Sequence, residues 1–146
     1  MTTTNIRMAR NYDAPAIAEL GDQLGYSANR QQIATRLAGI ESERSSRVFV
    51  AENGDGLVVG WLHVASRTQL TEDACAEILG LVVDESARGA GIGADLIRAA
   101  EAWARAEGCT RIRVRSRDTR ERAHRFYERA GYARNKVQVV LHKPLD

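Results

Sequence analysis

The chain has 146 residues, of which 44% are hydrophobic and 27% charged, a composition that supports one folded domain over 1–146. A formal net charge of +2 is too small to indicate a nucleic-acid or membrane partner, and no apolar run is long enough to span a bilayer. The N-terminal residues lack the charged and apolar regions of a signal peptide, and the cysteines and histidines show no metal-ligand spacing. We therefore expect a cytoplasmic protein without a metal centre.

Two helices are predicted after a short N-terminal strand. The strand covers 5–10, and the first helix follows Asp13, whose side chain can cap its N-terminus. Apolar side chains recur at helical spacing in both helices, which gives each of them one face for the core. These positions are Ile17, Leu20 and Leu24 in the first helix and Ile33, Leu37 and Ile40 in the second.

Three strands are predicted next. The runs 48–51 and 57–65 are rich in apolar and β-branched side chains, and Asn53-Gly54-Asp55-Gly56 between them is a strong turn signal. These two runs are therefore expected to form a hairpin. A third apolar run covers 74–83.

Helices and strands alternate in the second half of the chain. A long helix is predicted after residue 91, then a strand over 111–115, a helix over 120–130 closed by Gly131, and a last strand over 137–141. The resulting order, β-α-α-β-β-β-α-β-α-β, predicts a mixed α/β sheet. The long helix has an apolar face made of Ile92, Leu96, Ala100 and Trp103.

The turn before the long helix, Arg88-Gly89-Ala90-Gly91-Ile92-Gly93, has the features of a diphosphate site. Its glycines place no Cβ in the way of a ligand, and the first N–H groups of the helix and its dipole favour an anion. Arg88 adds a full positive charge beside them. We therefore expect this loop to bind a diphosphate.

A dinucleotide-binding fold is one alternative, because Gly89 to Ala94 satisfies the loose G-x-G-x-x-G/A pattern. In that fold the glycine turn follows its strand at once, whereas residues 84–87 intervene here and the preceding strands are linked by hairpins. The next strand should also end in an acidic residue, but it carries Arg111, Arg113 and Arg115. Both departures count against this alternative.

Two motifs together resemble the GNAT superfamily of N-acetyltransferases. The superfamily's cofactor loop, Arg/Gln-x-x-Gly-x-Gly/Ala, is matched by Arg88, Gly91 and Gly93, after the strand end Leu81-Val82-Val83. Its later helix commonly reads Ala-x-x-Phe-Tyr-x-x-x-Gly-Phe/Tyr, and the matching residues here are Ala123, Phe126, Tyr127, Gly131 and Tyr132. The order of elements agrees over nearly the whole chain. One departure is that Arg117 or Arg120 stands where many relatives carry Asn.

The resemblance implies a mixed, mostly antiparallel sheet flanked by helices, with splayed central strands that hold acetyl-coenzyme A. The pantetheine arm would pair with backbone groups of Leu81 and Val83, as a short peptide would. Gly80 fits this picture as a bulge or a point of close approach by another chain, and the alternative is tight packing against Trp61 or Trp103. The cofactor-binding residues implied are Leu81, Val82, Val83, Arg88, Gly89, Ala90, Gly91, Ile92, Gly93, Ala94, Ser116, Arg120, Ala123, Phe126 and Tyr127.

Acetyl transfer to an amine needs a base, a donor for the oxyanion and a proton for the thiolate. Glu77, a carboxylate within an apolar strand, aligns with the glutamate that some relatives use as base. The resemblance assigns the oxyanion to the N–H of Leu81 and the proton to Tyr127. The alternatives are that Glu77 faces solvent or forms a salt bridge, and that Tyr127 only packs in the helix.

The acceptor is expected to contact the first two helices, the loop 25–27 and the loop 66–73, by analogy with the superfamily. Asp22, Glu72 and Asp73 are candidates to attract a cationic amine. The run from Arg120 to Tyr127 is similar to aminoglycoside-type enzymes, and a polyamine or a peptide amine also fits. We further expect a homodimer.

Two other classes of function stay open. One is a coenzyme-binding sensor without catalysis. The other is a nucleic-acid module, because Arg111, Arg113 and Arg115 share a strand face. That segment lacks interleaved aromatic residues, however, and pairing of the arginines with Glu121, Glu128 and other acids, or with the cofactor's ribose phosphate, accounts for them. We therefore expect no nucleic-acid partner.

Overall fold

A computed structural model describes residues 4–146 of the chain, which divides into a unit ending at Val114 and a second unit, Arg115–Asp146. In the first unit the strands are β1 (Asn5–Met8), β2 (Ser46–Glu52), β3 (Val58–Gln69), β4 (Glu72–Val83) and β5 (Arg111–Val114). The helices of that unit are α1 (Ala14–Asp22), α2 (Arg30–Glu41) and α3 (Ile92–Ala106), and the second unit contains α4 (Glu121–Arg129).

The five strands form one sheet in the order β1-β2-β3-β4-β5. The first four strands pair antiparallel, and β5 pairs parallel to β4, so the mixed, mostly antiparallel sheet is confirmed. The predicted hairpin turn is also present: Asn53 Oδ1 accepts hydrogen bonds from the N–H groups of Asp55 and Leu57, and Gly56 has a φ of +80°. A dinucleotide-binding fold, with its run of parallel strands, is thereby excluded.

The helices of the first unit cover both faces of the sheet. Ile17 of α1 and Leu37 of α2 pack with Val48 and Val50, and Trp61 packs against this cluster. On the opposite face, a Cβ built on Gly60 would lie 3.3 Å from Leu96 of α3. Since residues alternate along β3, Trp61 and Gly60 face different helices. The sheet is therefore enclosed between α1 and α2 on one side and α3 on the other.

The first helix differs in two details from its prediction. It ends at Asp22, so Leu24 lies outside it. Asp13 stands at the N-cap position but makes no side-chain cap, because its carboxylate binds the Arg7 guanidinium at 2.8 and 2.9 Å and the N–H of Arg10 at 2.7 Å. Burial by itself raises the pKa of Asp13, but these hydrogen bonds lower it below its usual range.

The strands β4 and β5 separate part-way along their length. Their register runs from Cys75–Arg111 to Ile78–Val114 and ends there, so residues 80–83 of β4 are paired with β3 alone. The β3–β4 register shifts at this same point: His63 lies opposite Gly80 and Val64 opposite Ile78, which leaves Leu79 as an extra, bulged residue. The splayed central strands are confirmed.

In the second unit, the predicted helix over 120–130 is present as α4. The predicted last strand over 137–141 is wrong, because residues 133–146 lie outside any helix or strand. A strand needs a neighbour for its backbone hydrogen bonds, and in this segment Val137, Val139 and Leu141 are 75%, 82% and 87% exposed. Across residues 4–146, none of the helices has the length and apolar character needed to cross a membrane.

Candidate active site

The glycine loop leads directly into α3. Gly89 and Gly91 have φ values of +87° and +80°, a conformation that glycine adopts without strain, and Gly91 occupies the N-cap position. A Cβ built on either residue would meet nothing within 4 Å, so the space beside the loop is open. The first N–H groups of this 15-residue helix therefore face an open surface that suits an anion.

The predicted loop residues differ in what they can offer. The side chain of Ile92 is buried against the sheet near Gly60, so only its backbone is available to a ligand. Gly93 and Ala94 lie in the first turn of α3, and Ala90 lies between the two left-handed glycines. Apart from Arg88, what this loop can offer to a ligand is therefore its backbone N–H groups rather than its side chains.

Arg88 connects the loop to the end of β4. Its Nε donates a hydrogen bond to the Val83 carbonyl at 3.2 Å, and its Nη1 lies 4.0 Å from the Glu85 carboxylate. These contacts hold the guanidinium beside the exit of the strand. A positive charge is thereby placed next to the helix N-terminus, where it adds to the field of the helix.

The unpaired side of β4 provides backbone groups for an extended ligand. Leu81 and Val83 are half-buried, and the ladder with β5 ends before it reaches them. Val82 is buried opposite Trp61, so its side chain belongs to the core. Gly80 packs on Trp61: a Cβ there would lie 2.9 Å from the indole ring. Both features predicted for Gly80, a bulge and packing on Trp61, occur at this point of the strand.

Glu77 lies four residues before Leu81, buried and in an ion pair. It faces Arg113 in the β4–β5 register, and the Arg113 Nε donates to Glu77 Oε1 at 2.9 Å. Arg113 also donates to Glu72 at 3.0 Å, and the hydrogen bond to Glu77 is the main cause of the raised pKa of Arg113. A solvent-facing Glu77 is thus wrong, and a salt bridge is confirmed.

The predicted pairing of the strand arginines with acidic residues is present for Arg111 and Arg113. Arg111 donates to Glu72, and Arg113 to Glu72 and Glu77, which are other acids than the two that the prediction named, Glu121 and Glu128. These ion pairs lie within the sheet of the first unit. They leave two of the three arginines engaged with carboxylates instead of forming a free basic surface.

In the second unit, Tyr127 packs edge-on against Phe126 and Tyr132, with ring centroids 5.2 and 5.8 Å apart. Burial raises the pKa of Tyr127 to about 12, although the charge of Arg120 acts in the opposite direction. The phenol therefore keeps its proton throughout the neutral range. Ala123, one turn earlier on α4, is half-buried on the same helix face.

Ser116, another predicted cofactor residue, has a buried hydroxyl that finds no hydrogen-bond partner within the described part of the chain. A buried hydroxyl without a partner is unfavourable, and such groups are uncommon in folded proteins. The predicted cofactor set thus contains a polar group that a ligand could satisfy.

A cleft of about 250 Å³ opens between α1, α2 and the sheet, on the face that carries Trp61. Its walls are mainly apolar, and it reaches the bulged residues Leu79 and Gly80. Tyr26, from the predicted acceptor loop, lines it. No residue of the predicted loop over 66–73 lines the cleft. Most of these residues belong to strands, since β3 extends to Gln69 and β4 begins at Glu72.

His63 is a residue of this cleft that the sequence reading missed. It lies opposite Gly80, lines the cleft, and its Nε2 is 2.8 Å from Ser46 Oγ. Burial lowers the pKa of His63 below its usual value, so the ring is neutral at pH 7. A signal was present in the sequence, because His63 interrupts an apolar strand as Glu77 does. The register of the structure shows that they share a sheet face: Ala65, two residues after His63, lies opposite Glu77.

Among residues 4–146, no three His, Cys, Asp or Glu side chains are grouped so that they could hold a metal ion. The first unit therefore combines a glycine loop at a helix N-terminus, a strand with one unpaired side and an apolar cleft.

The chain matches the model of the acetyltransferase (GNAT) family over residues 14–132. It belongs to that family. It is 30% identical over 145 residues to an aminoglycoside N(6')-acetyltransferase type 1 from Stenotrophomonas maltophilia, a match that covers 97% of this chain and 94% of that protein. The chain is accordingly an N-acetyltransferase.

Solved structures share the fold of this acetyltransferase. An aminoglycoside N-acetyltransferase, AAC(6')-Iy, in complex with CoA superposes with a TM-score of 0.88 at 17% identity, covering 99% of this chain and 97% of that one. A glucosamine-6-phosphate N-acetyltransferase from Arabidopsis thaliana gives a TM-score of 0.84 at 20% identity, covering 96% and 98%. At these identities the likeness concerns the fold alone, which serves enzymes with different acceptors.

Proposed function

We propose that this acetyltransferase moves an acetyl group from acetyl-coenzyme A to a primary amine, by direct attack within a ternary complex. The observation that carries the proposal is the splay of β4 from β5 after Ile78, immediately before a glycine loop that begins α3. The unpaired side of the strand offers backbone N–H and C=O groups that can pair with the amides of pantetheine, and the helix N-terminus that follows can bind the pyrophosphate. Pantetheine and pyrophosphate occur in this order in the coenzyme.

The residues of the chain fit this coenzyme. The N–H groups from Gly89 to Ala94 and the Arg88 guanidinium would hold the pyrophosphate, and the backbone of Leu81 and Val83 would pair with pantetheine. The unsatisfied hydroxyl of Ser116 supports a polar ligand in the predicted cofactor set. Arg120, Ala123, Phe126 and Tyr127 complete that set. Over residues 4–146 no group of three His, Cys, Asp or Glu side chains could hold a metal ion, and we propose a metal-free reaction in which the bound thioester supplies the acetyl group.

The proposed catalytic roles follow the chemistry of amide formation. The N–H of Leu81 would stabilise the oxyanion. Glu77 would accept the proton of the amine, directly or through water, while Arg113 orients its carboxylate. His63 is a second candidate base, because it is neutral and lines the cleft. Tyr127 would donate a hydrogen bond or a proton to the departing sulfur.

The relative at 30% identity is named for an aminoglycoside acceptor, which supports an amine of a small molecule as the substrate. Polyamines and peptide amines are further candidates. The pairing of Arg111 and Arg113 with Glu72 and Glu77 supports the prediction that nucleic acid is not a partner.

Calorimetry with acetyl-coenzyme A, followed by a thiol-release assay over aminoglycosides, polyamines, amino acids and peptides, tests this function. We expect binding without an acceptor and coenzyme A release with at least one amine. Binding without release for any amine would favour the sensor alternative, and no binding would overturn the proposal.

Three further expectations belong to this proposal. The family match runs across the boundary between the two units, which supports one acetyltransferase domain over 1–146. The exposed apolar side chains at 137, 139 and 141 support a homodimer, because an exposed apolar segment can pair with a second chain, and sedimentation velocity tests this. The free thiols of Cys75 and Cys109 are consistent with the predicted cytoplasmic compartment.

A further inference from the structure

We infer that the acceptor is a small amino-carboxylate with an apolar body, such as a hydrophobic amino acid, rather than a polycationic aminoglycoside or polyamine. The inference rests on the proposed acetyl transfer and concerns which amine enters the cleft between α1, α2 and the sheet. It is carried by the size of that cleft, the nature of its walls and the charges placed around it.

The size and walls of the cleft suit a compact apolar group. Its volume of about 250 Å³ lies below the roughly 300–1,000 Å³ of pockets that bury a drug-sized ligand. Apolar side chains supply most of the lining, among them Ile33, Leu37, Trp61 and Leu79. A ligand with several polar sugar rings would lose hydrogen bonds to water against such walls, whereas an apolar side chain would gain from burial.

The charges of the cleft select against a polycation. None of the described side chains that line it is a carboxylate, and the three predicted attractants for an amine, Asp22, Glu72 and Asp73, lie outside the lining. Glu72 is instead bound to Arg111 and Arg113. A ligand with several ammonium groups would therefore enter the cleft without a counter-ion.

Two hydrogen-bond donors of the lining have no partner of their own. Arg36 is exposed on α2, and within the described chain it forms no ion pair or hydrogen bond. The indole Nε1–H of Trp61 is buried and also has no partner there. A guanidinium is the side chain best suited to a carboxylate, which it binds with two parallel hydrogen bonds. The charge complement of this cleft is thus an anionic group on the acceptor.

The cleft also ends where the amine is needed. It reaches Leu79 and Gly80, next to the unpaired part of β4 proposed to hold the thioester. During transfer the amine nitrogen forms the C–N bond, the C–S bond breaks, one proton leaves the amine for a base, and the sulfur takes up a proton. The neutral ring of His63 also lies on this wall, so it places no positive charge beside the reacting nitrogen.

A matched series of amines tests the inference. L-phenylalanine, L-leucine and L-methionine are compared with phenethylamine, which lacks the carboxylate, and with kanamycin and spermidine, by kcat/KM and by calorimetric binding to the CoA-bound protein. We expect phenylalanine to exceed phenethylamine by about 10-fold or more, as for a charge-assisted hydrogen bond. In Arg36→Met this advantage should disappear while phenethylamine is little affected. Arg30→Met, on the same helix but outside the cleft lining, should behave as the unaltered enzyme.

The outcomes separate this inference from the proposed function. Preference for kanamycin or spermidine, or failure of all three amino acids to bind and react, would overturn the amino-carboxylate class while acetyl transfer stands. An unchanged preference in Arg36→Met would remove Arg36 from acceptor binding. If the unaltered protein does not bind acetyl-coenzyme A, the proposed function itself is overturned.

Discussion

The Oγ of Ser46 lies 2.8 Å from the Nε2 of His63 on the neighbouring strand, at the wall of the apolar cleft. Ser46 is buried, so the hydroxyl fixes the imidazole ring in a place from which water is largely excluded. Burial lowers the pKa of His63, and the nearby charge of Glu43 only partly opposes this effect. The ring is therefore an oriented, neutral base or hydrogen-bond partner.

The first prediction concerns stability and pH. Because the folded-state pKa of His63 lies below that of the unfolded chain, the unfolded state takes up a proton first as the pH falls below about 6.5. Stability should then fall on acidification, by up to about 1.4 kcal/mol per pH unit until the folded-state pKa is reached. Urea unfolding from pH 7.5 to 5.5 should show a smaller fall in His63→Gln. His142→Gln, at an exposed histidine, is the control, and parallel curves for all three proteins would contradict a half-buried, neutral His63.

The second prediction separates the two candidate bases. If Glu77 accepts the proton of the amine, Glu77→Gln should lower kcat by about 10²-fold or more at neutral pH and recover partly at high pH, where more acceptor is already neutral. Glu72→Gln is the matched control, because Glu72 also binds Arg113 but lies outside the proposed base site. Full activity in Glu77→Gln together with a loss in His63→Gln would assign the proton transfer to His63.

Local signals in the sequence predicted much of this fold. The turn from Asn53 to Gly56 and the left-handed glycines of the loop before α3 follow from backbone preferences that a short segment carries with it. The sequence does not predict the binding of Arg7 to Asp13, because an aspartate directly before a helix indicates a helix cap. The acidic partners of Arg111 and Arg113 depend on the parallel register of β4 and β5, which hydrophobic periodicity does not encode. The prediction for residues 137–141 failed for a different reason. A run of β-branched residues gives strand propensity, but a strand forms only where a neighbouring strand pairs with its backbone.

The sequence likewise predicted some residues of the cleft and not others. Tyr26 was expected at the acceptor site from its place in the chain, and it lines the cleft. Arg36 was not expected there, because an arginine on an amphipathic helix is usually an exposed, solvated residue. Its apolar setting arises only in the fold, where Arg36 lines the same cleft as Leu79 and Gly80.

The third prediction tests the anion site at the start of α3. Gly91→Val should reduce acetyl-coenzyme A affinity severely, because a branched side chain would fill the open space beside the loop. Gly108→Val is a matched control: Gly108 has a φ of +82°, also has nothing within 4 Å of its Cβ position, and lies beyond the opposite end of α3. Both variants incur similar backbone strain, so only the first should lose the ligand. Equal affinities in the two valine variants, measured by calorimetry, would remove the loop from the coenzyme site.

In the same calorimetric assay, Arg88→Ala should weaken acetyl-coenzyme A binding by about 1–3 kcal/mol.

The last prediction concerns the proton of Tyr127. The Tyr127 phenol has a pKa of about 12, whereas a thiol has a pKa near 8.5, so proton transfer from this phenol to the thiolate is uphill by about 5 kcal/mol. Tyr127 is therefore better suited to stabilise the sulfur with a hydrogen bond than to give up its proton fully. Tyr127→Phe should therefore lower kcat by about 10²-fold, the lower end of general acid catalysis, while acetyl-coenzyme A affinity stays within about 2-fold. The unaltered enzyme should show no decline in kcat up to about pH 10.5, since the phenol remains protonated there. Tyr132→Phe keeps the neighbouring ring contact and serves as the control. Full turnover in Tyr127→Phe with a good acceptor would show that the tyrosine only packs in α4 and that the sulfur takes its proton from water.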